Sequence, residues 1–152
     1  MVLIIGVGNR DRGDDGIGSI IAESLIKEGF DNVLDCERIP ENYLSKIIEQ
    51  KPKKIIFIDA GDFGGKVGEI RVFKKEEWQN FKKFTFSTHT LPLNMLCSLI
   101  EKLINCEIHI LGIQVKAIAF YQGLSEELKE NLPKIIEQIK EFLKERKYGT
   151  YL

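Results

Sequence analysis

Short unbroken apolar runs alternate along the chain with longer stretches in which apolar residues recur every three or four positions. Val2 to Val7 is one such run, and Ile55 to Ile58 is another that stops at Asp59. Continuous apolar runs of this length are typical of parallel strands buried on both faces. Cys106 to Ile113 is predicted to be a strand as well. We therefore expect a parallel sheet at the centre of the protein.

Helical periodicity fills the segments between the strands. Apolar residues recur at helical spacing from Ile17 to Leu25, Pro40 opens a second helix, and Leu91 to Ile104 is helical throughout. Ser125 is a suitable cap for the last helix. The core-facing positions predicted there are Leu132, Ile135, Ile136, Ile139, Phe142 and Leu143.

Two further features complete the predicted architecture. Gly68 to Phe73 alternates apolar and polar residues, as a half-exposed edge strand does, and Asn32 to Asp35 is a short strand. Lys74 to Lys83 is predicted to be irregular with one helical turn, and Pro133 is predicted to start a new helix. The pattern gives an α/β fold over residues 1–152, a single doubly wound domain. Its twisted sheet has about five strands, mostly parallel with one antiparallel edge strand, and helices on both faces.

Charge and length exclude several classes of partner. The chain of 152 residues carries 22 Lys and Arg against 23 Asp and Glu, a formal net charge of −1. Such a balance provides no field that would attract nucleic acid. No apolar run approaches the roughly 20 residues needed to cross a bilayer, and the apolar opening is too short for a signal peptide. We expect a soluble cytoplasmic protein without nucleic-acid binding or membrane insertion.

The three cysteines do not form a pairing pattern. Cys36, Cys97 and Cys106 are odd in number and widely spaced, which is unlike a disulfide framework or a Cys-x-x-Cys site. They are expected to be buried free thiols. A metal site would therefore have to use carboxylates and at most the two histidines, His89 and His109.

The loop after the first strand is rich in glycine and acid. Its Gly6-x-Gly8 opening suggests dinucleotide binding, but the third small residue of that fingerprint is replaced by Asp11. Asp14 and Asp15 then stand at the helix start, where their charges would repel a pyrophosphate. One aspartate suffices as a helix cap. The second is either a further capping residue or part of metal or polarised-amide chemistry.

Topology brings a second acid toward Asp15. If the strand order runs 2-1-3, the carboxyl ends of strands one and three are neighbours, so Asp15 and Asp59 can converge on one point. Asp59 has an alternative role as a turn residue that bonds local amides. His89, just before a helix, would complete a mixed oxygen and nitrogen set suited to nickel or zinc. His109 lies within a strand and is expected to be structural.

The chain resembles the hydrogenase maturation proteases, endopeptidases that trim the large subunit of nickel–iron hydrogenases, over nearly its whole length. An ordered set of segments carries the resemblance: Gly6-x-Gly8-Asn9, Gly13-Asp14-Asp15-Gly16-x-Gly18, Ile58-Asp59-Ala60 and Ser87-Thr88-His89-x-Leu91-Pro92-Leu93. Three more segments resemble the branch that serves formate hydrogenlyase and related membrane-bound hydrogenases: Pro40-Glu41-Asn42, Gly68-Glu69-Ile70-Arg71 and Leu111-Gly112-Ile113-Gln114.

The resemblance implies a specific activity. It implies removal of a C-terminal extension from a large-subunit precursor that already carries nickel, with Asp15, Asp59 and His89 approaching that metal. The nickel belongs to the precursor, no organic cofactor is implied, and a monomer is expected. The metal could polarise the scissile carbonyl or activate water, or Asp15 could act as a general base. A checkpoint protein that binds the loaded precursor without cutting it, and a nucleotide-binding Rossmann-like domain, are the alternatives.

One segment departs from the family pattern. Many members have Asp-Gly-Gly where this chain has Asp35-Cys36-Glu37, followed by Arg38. Residues with side chains do not adopt glycine conformations freely. The substrate-recognition loop is therefore expected to differ from that of its relatives.

Overall fold

Six strands and five helices can be traced in the computed structural model, which describes residues 1–80, 85–86, 91–116 and 123–148. The strands are β1 (Val2–Gly6), β2 (Val33–Asp35), β3 (Lys54–Asp62), β4 (Ile70–Phe73), β5 (Thr85–Phe86) and β6 (Glu107–Gln114). The helices are α1 (Ile17–Lys27), α2 (Leu44–Glu49), α3 (Lys75–Trp78), α4 (Leu93–Leu103) and α5 (Glu126–Tyr148). Short 3-10 turns cover Arg10–Arg12, Asp14–Gly16 and Pro40–Tyr43.

The strands form one mixed sheet in the order β2-β1-β3-β6-β4. The pairs β1–β2, β1–β3 and β3–β6 are parallel, and β4 pairs antiparallel with β6 at the edge. This confirms the predicted doubly wound sheet and its antiparallel edge strand. The structure adds β5, two residues that pair antiparallel with the end of β3 at Gly61 and Asp62.

Alternation along the strands divides the core into two apolar layers. One layer combines odd-numbered β3 residues such as Ile55 and Phe57 with α2 and α4, for example through Ile47 and Ile100. The other combines even-numbered β3 residues with the apolar faces of α1 and α5. Because α1 and α4 cover opposite faces, the chain winds in opposite directions from β1 and from β3. The winding reverses between these two strands.

The segment after β4 makes the single helical turn that its sequence predicts. In α3, Trp78 is completely buried, and its indole nitrogen donates a hydrogen bond to the Ile108 carbonyl at 2.9 Å. A buried tryptophan requires such an acceptor for its N–H group. Trp78 therefore fastens this otherwise polar segment onto β6.

The prediction that Pro133 starts a new helix is wrong, because Pro133 lies inside α5. Leu128, Ile135, Ile139 and Leu143 are all buried in the same apolar layer, on both sides of the proline. Their spacing keeps one continuous helical face on the sheet, whereas Pro133 itself is exposed. Burial of that face outweighs the roughly 3 kcal/mol that an interior proline costs.

The polar and sulfur-containing residues outside the site are largely where the sequence predicted them. Cys36 and Cys97 are buried free thiols, as expected, and Cys106 is half-buried. His109 is a buried strand residue of β6, and its Nε2 lies 3.0 Å from the Glu107 carboxylate. No helix within the described ranges is long and apolar enough to cross a lipid bilayer.

Candidate active site

The β1–α1 loop folds as two consecutive 3-10 turns. Asn9 caps the first turn, since its side-chain oxygen accepts a hydrogen bond from the Asp11 amide at 3.0 Å. The Asn9 amide in turn donates to the Asp15 carbonyl at 3.2 Å. These bonds close the loop on itself, so that the residues before α1 are fixed by backbone contacts.

The glycines of this loop serve close packing. A Cβ atom at Gly18 would lie 2.2 Å from the Val7 carbonyl oxygen and 2.3 Å from that of Ile58. The first turn of α1 therefore rests directly on the backbone just after β1 and in the middle of β3. A Cβ atom at Gly8 would lie 2.6 Å from the Asp15 carbonyl oxygen. The motif thus presses the Asp14–Gly16 turn into the crevice between β1 and β3.

The two adjacent aspartates have different surroundings, although both are completely buried. The Asp14 carboxylate accepts three hydrogen bonds from outside its own loop. Its Oδ1 accepts from the Ser125 amide at 2.6 Å, and its Oδ2 accepts from the Lys116 amide at 3.0 Å and the Ser125 hydroxyl at 2.9 Å. Asp14 therefore ties the loop to the chain segments after β6 and before α5, a structural role.

Asp15 and Asp59 occupy the position that the topology predicts. Both side chains are 0% exposed, and the Asp14–Gly16 turn lies against β3. Asp59 is the first β3 residue beyond its register with β1, which ends at the Gly6–Ile58 pair. Its Oδ1 accepts a hydrogen bond from the Ala60 amide at 2.9 Å, which fixes the carboxylate orientation. The structure thus places the two predicted acids on neighbouring elements at the carboxyl edge of the sheet.

His89, the third predicted site residue, lies outside the described residues. The described strand nearest to it in the chain is β5, where Phe86 pairs with Gly61, two residues after Asp59. Among the described residues, no group of three or more His, Cys, Asp or Glu side chains is arranged to hold a metal ion. The structure therefore locates two members of the predicted triad, Asp15 and Asp59, and the third, His89, stays a prediction.

Gln114 is a positioning residue that the sequence reasoning assigned no role. Its side chain is almost fully buried, and its Oε1 accepts hydrogen bonds from the Phe63 and Gly65 amides at 2.9 and 3.0 Å. Its Nε2 donates to the Asp62 carboxylate at 3.1 Å. A polar residue at the end of a buried strand was the available signal. Gln114 holds the turn that follows β3, and hence the end of the strand that carries Asp59.

The segment after β2 keeps a glycine-like backbone without glycine. Glu37 has a φ of 53°, in the left-handed region that favours glycine. Its amide donates to the Asp35 carboxylate at 3.1 Å, and its carbonyl accepts from the Gly8 amide at 2.8 Å. Its carboxylate accepts from the Tyr43 hydroxyl at 3.2 Å. These contacts hold the conformation in a residue that has a side chain.

The cysteines do not supply an activated nucleophile. Burial raises the pKa of the Cys36 thiol to about 12 and that of Cys106 to about 11, and it raises the pKa of Cys97 as well. A nucleophilic cysteine requires a lowered pKa and a nearby cation or imidazole. The thiols are protonated at neutral pH, so the buried carboxylates are the better candidates for the chemistry of the site.

Together these features define the class of the protein: a doubly wound α/β fold with buried acids at the point where its winding reverses. Comparisons with known proteins narrow that class. The model of the hydrogenase maturation protease family matches residues 21–142. The chain belongs to the hydrogenase maturation protease family.

Several curated and solved relatives are similar over almost the whole chain. A putative hydrogenase maturation protease of Methanocaldococcus jannaschii is 34% identical over 96% of this chain and 90% of its own length. The hydrogenase 3 maturation protease of Escherichia coli is 31% identical over 90% of this chain and 87% of its own length. The crystal structure of the NiFe hydrogenase maturation protease HycI from Thermococcus kodakarensis superposes with a TM-score of 0.78. That structure is 34% identical and covers 94% of this chain and 92% of its own.

Proposed function

We propose that this protein is an endopeptidase that removes the C-terminal extension from the large-subunit precursor of a nickel–iron hydrogenase after nickel has been inserted. Family membership supports proteolytic maturation of a hydrogenase. The observation that carries the site assignment is the pair of completely buried aspartates, Asp15 and Asp59, on adjacent elements of the carboxyl edge. Two neighbouring carboxylates favour a divalent cation because each charge strengthens the attraction.

The nickel is part of the substrate in this proposal. Asp15, Asp59 and His89 supply carboxylate oxygens and one imidazole, a donor set that suits a divalent transition metal with positions left for other ligands. The precursor supplies those other ligands. Recognition therefore requires both partners, so the protease distinguishes a loaded precursor from an empty one.

Hydrolysis adds water across the scissile peptide bond: the oxygen bonds to the carbonyl carbon, the C–N bond breaks, and the leaving amine takes a proton. Substrate-borne nickel supplies Lewis acidity for the carbonyl or for water. In this proposal Asp15 accepts the proton of the attacking water, and Asp59, whose carboxylate accepts a hydrogen bond from the Ala60 amide, holds the cation. Water is the proposed nucleophile.

The deciding experiment incubates the protein with nickel-loaded and nickel-free precursor and detects the released C-terminal fragment by mass spectrometry. We expect a fragment from the loaded precursor alone, and loss of cleavage in Asp15→Asn and His89→Ala. Asp31→Asn, which neutralises an exposed aspartate just before β2 and outside the site, serves as the matched control. Equal cleavage of both precursors would contradict nickel recognition, and wild-type rates in His89→Ala would contradict that assignment.

A non-cutting checkpoint gives a different result in the same experiment. It would bind the loaded precursor through the same three residues and release no fragment. Assignment to the formate hydrogenlyase branch, a monomeric state and a cytoplasmic location stay predictions of the sequence. Sedimentation of the purified protein tests the monomer.

A further inference from the structure

A polar cleft of about 420 Å³ opens at the carboxyl ends of β1 and β2. It lies between the Gly8–Asp11 segment, Ser19 of α1, and Glu37 and Arg38 of the loop after β2. A smaller cleft of about 220 Å³ shares Glu37 and Arg38 and continues toward Tyr43. The two clefts therefore meet at the Glu37–Arg38 dipeptide, on the same edge of the sheet as Asp15 and Asp59.

The two arginines of the larger cleft differ in their bonding. The Arg10 guanidinium donates to the hydroxyl and the carbonyl of Ser19, both at 3.1 Å, and forms an ion pair with Glu23 at 2.5 Å. Arg38 is exposed and forms no hydrogen bond or ion pair with any other described part of the chain. Arg10 thus builds the wall of the cleft, whereas the guanidinium of Arg38 is available to a ligand.

The backbone at Glu37 determines where Arg38 stands. A φ of 53° is unfavourable for a residue with a Cβ atom, yet it is kept here. Asp35 stabilises this turn because its Oδ1 accepts from both the Glu37 amide at 3.1 Å and the Ser19 hydroxyl at 2.8 Å. Strained backbone of this kind persists where surrounding contacts hold it, and it is concentrated at functional sites.

We propose that Arg38 is a specificity-determining residue that binds an acidic side chain of the precursor near the cleaved bond. This inference rests on the proposed function and names a feature of its substrate. A guanidinium presents five donors in a planar fork that matches a carboxylate in bidentate geometry. The neighbouring carboxylates of Asp11 and Glu37 repel acids that approach elsewhere along the cleft. The acidic side chain is thereby directed to Arg38.

The test measures kcat and KM separately on the nickel-loaded precursor for wild type, Arg38→Lys, Arg38→Gln and Arg38→Glu. We expect KM to rise about tenfold in Arg38→Gln and further in Arg38→Glu, with kcat within about twofold of wild type. Arg38→Lys should lie between wild type and Arg38→Gln because it keeps the charge and loses the fork. Lys144→Glu, the same charge change at an exposed site on α5, is the control.

A charge exchange identifies the partner. Each Asp or Glu within about ten residues of the cut is replaced singly by Lys in the precursor, and one replacement should restore cleavage by Arg38→Glu. An unchanged KM in Arg38→Glu, a fall in kcat alone, or failure of every replacement to restore cleavage would overturn the assignment. If wild type releases no fragment, the proposed function fails. The affinity of wild type and Arg38→Glu for the loaded precursor then decides this inference, and equal affinities overturn it.

Discussion

Asp14 and Ser125, 111 positions apart in the chain, are joined by two hydrogen bonds to one buried carboxylate. The Ser125 amide donates at 2.6 Å and its hydroxyl at 2.9 Å. This link fixes the start of α5 against the β1–α1 loop. It also separates the roles of two adjacent aspartates, because Asp15 takes no part in it.

Replacing Asp14 and Asp15 one at a time should therefore affect different properties. Asp14→Asn puts an amide donor against three N–H and O–H donors, so we expect the free energy of unfolding to fall by about 3 kcal/mol. Asp15→Asn should lower kcat by at least about a hundredfold, with a smaller change in stability. Urea denaturation and the precursor cleavage assay measure the two effects.

Ser125→Ala is the control for the first effect, and its expected cost is about 1 kcal/mol, since it removes only the hydroxyl. An Asp14→Asn protein as stable as wild type would contradict the structural role of Asp14. Loss of cleavage in Asp14→Asn, at a temperature where it is folded, would show that the two acids act together.

Gly18→Ala should destabilise the protein by about 3 kcal/mol. The added Cβ atom would lie 2.2 Å from the Val7 carbonyl oxygen, just after β1, and 2.3 Å from that of Ile58 in β3, and this backbone cannot move aside cheaply. Gly29→Ala is the control, because nothing lies within 4 Å of its Cβ position. Its cost should stay near 1 kcal/mol, from its positive φ alone. Equal losses in thermal unfolding would argue against close packing as the reason for Gly18.

Pro133→Ala should stabilise the protein by about 2 kcal/mol. The change restores a backbone donor inside α5, and this gain exceeds the entropy that proline removes from the unfolded chain. Chemical denaturation measures the difference, and helical circular dichroism should be unchanged or slightly stronger. A destabilised variant would mean that α5 needs the proline geometry.

Stability should decline at alkaline pH because of the buried thiols. The pKa of Cys36 rises from an ordinary value of 9.0 to about 12, so between these limits the unfolded chain loses the thiol proton and the folded chain keeps it. Because the folded protein holds a proton that the unfolded chain has lost, a rise in pH favours the unfolded chain. The free energy of unfolding therefore falls as pH rises. The slope reaches about 1.4 kcal/mol per pH unit for each such thiol.

Cys36→Ala isolates this contribution. Its free energy of unfolding should fall less steeply with pH than that of wild type between pH 9 and 12. Below pH 8 the free energies of unfolding of the two proteins should change with pH in the same way. Identical slopes across the alkaline range would show that Cys36 ionises equally in both states. Fluorescence-detected urea unfolding at a series of pH values provides the comparison.

Most of the fold follows from the sequence because periodicity records burial. The apolar runs at β1 and β3 predict strands buried on both faces, and the structure places both at the sheet centre together with β6, which was predicted as a strand. Pro133 was mispredicted because the local rule for proline omits the sheet against which the helix packs. Tertiary burial of Ile135 and Ile139 decides that case.

The candidate site was likewise predicted in part from the sequence and decided in part by tertiary contacts. The sequence by itself indicated that Asp15 follows the first strand and that Asp59 comes at the end of the apolar run in the third, and its glycine pattern marked the loop that carries Asp15. That these strands are neighbours depended on the order 2-1-3, which the structure confirms, and β3 continues past Asp59 to Asp62. The sequence could not separate Asp14 from Asp15, because their difference lies in contacts with Ser125 and Lys116, distant in the chain. Nor could it show that Glu37 keeps a left-handed backbone. Both were decided by tertiary structure, since hydrogen bonds between remote segments leave no periodic trace in the sequence.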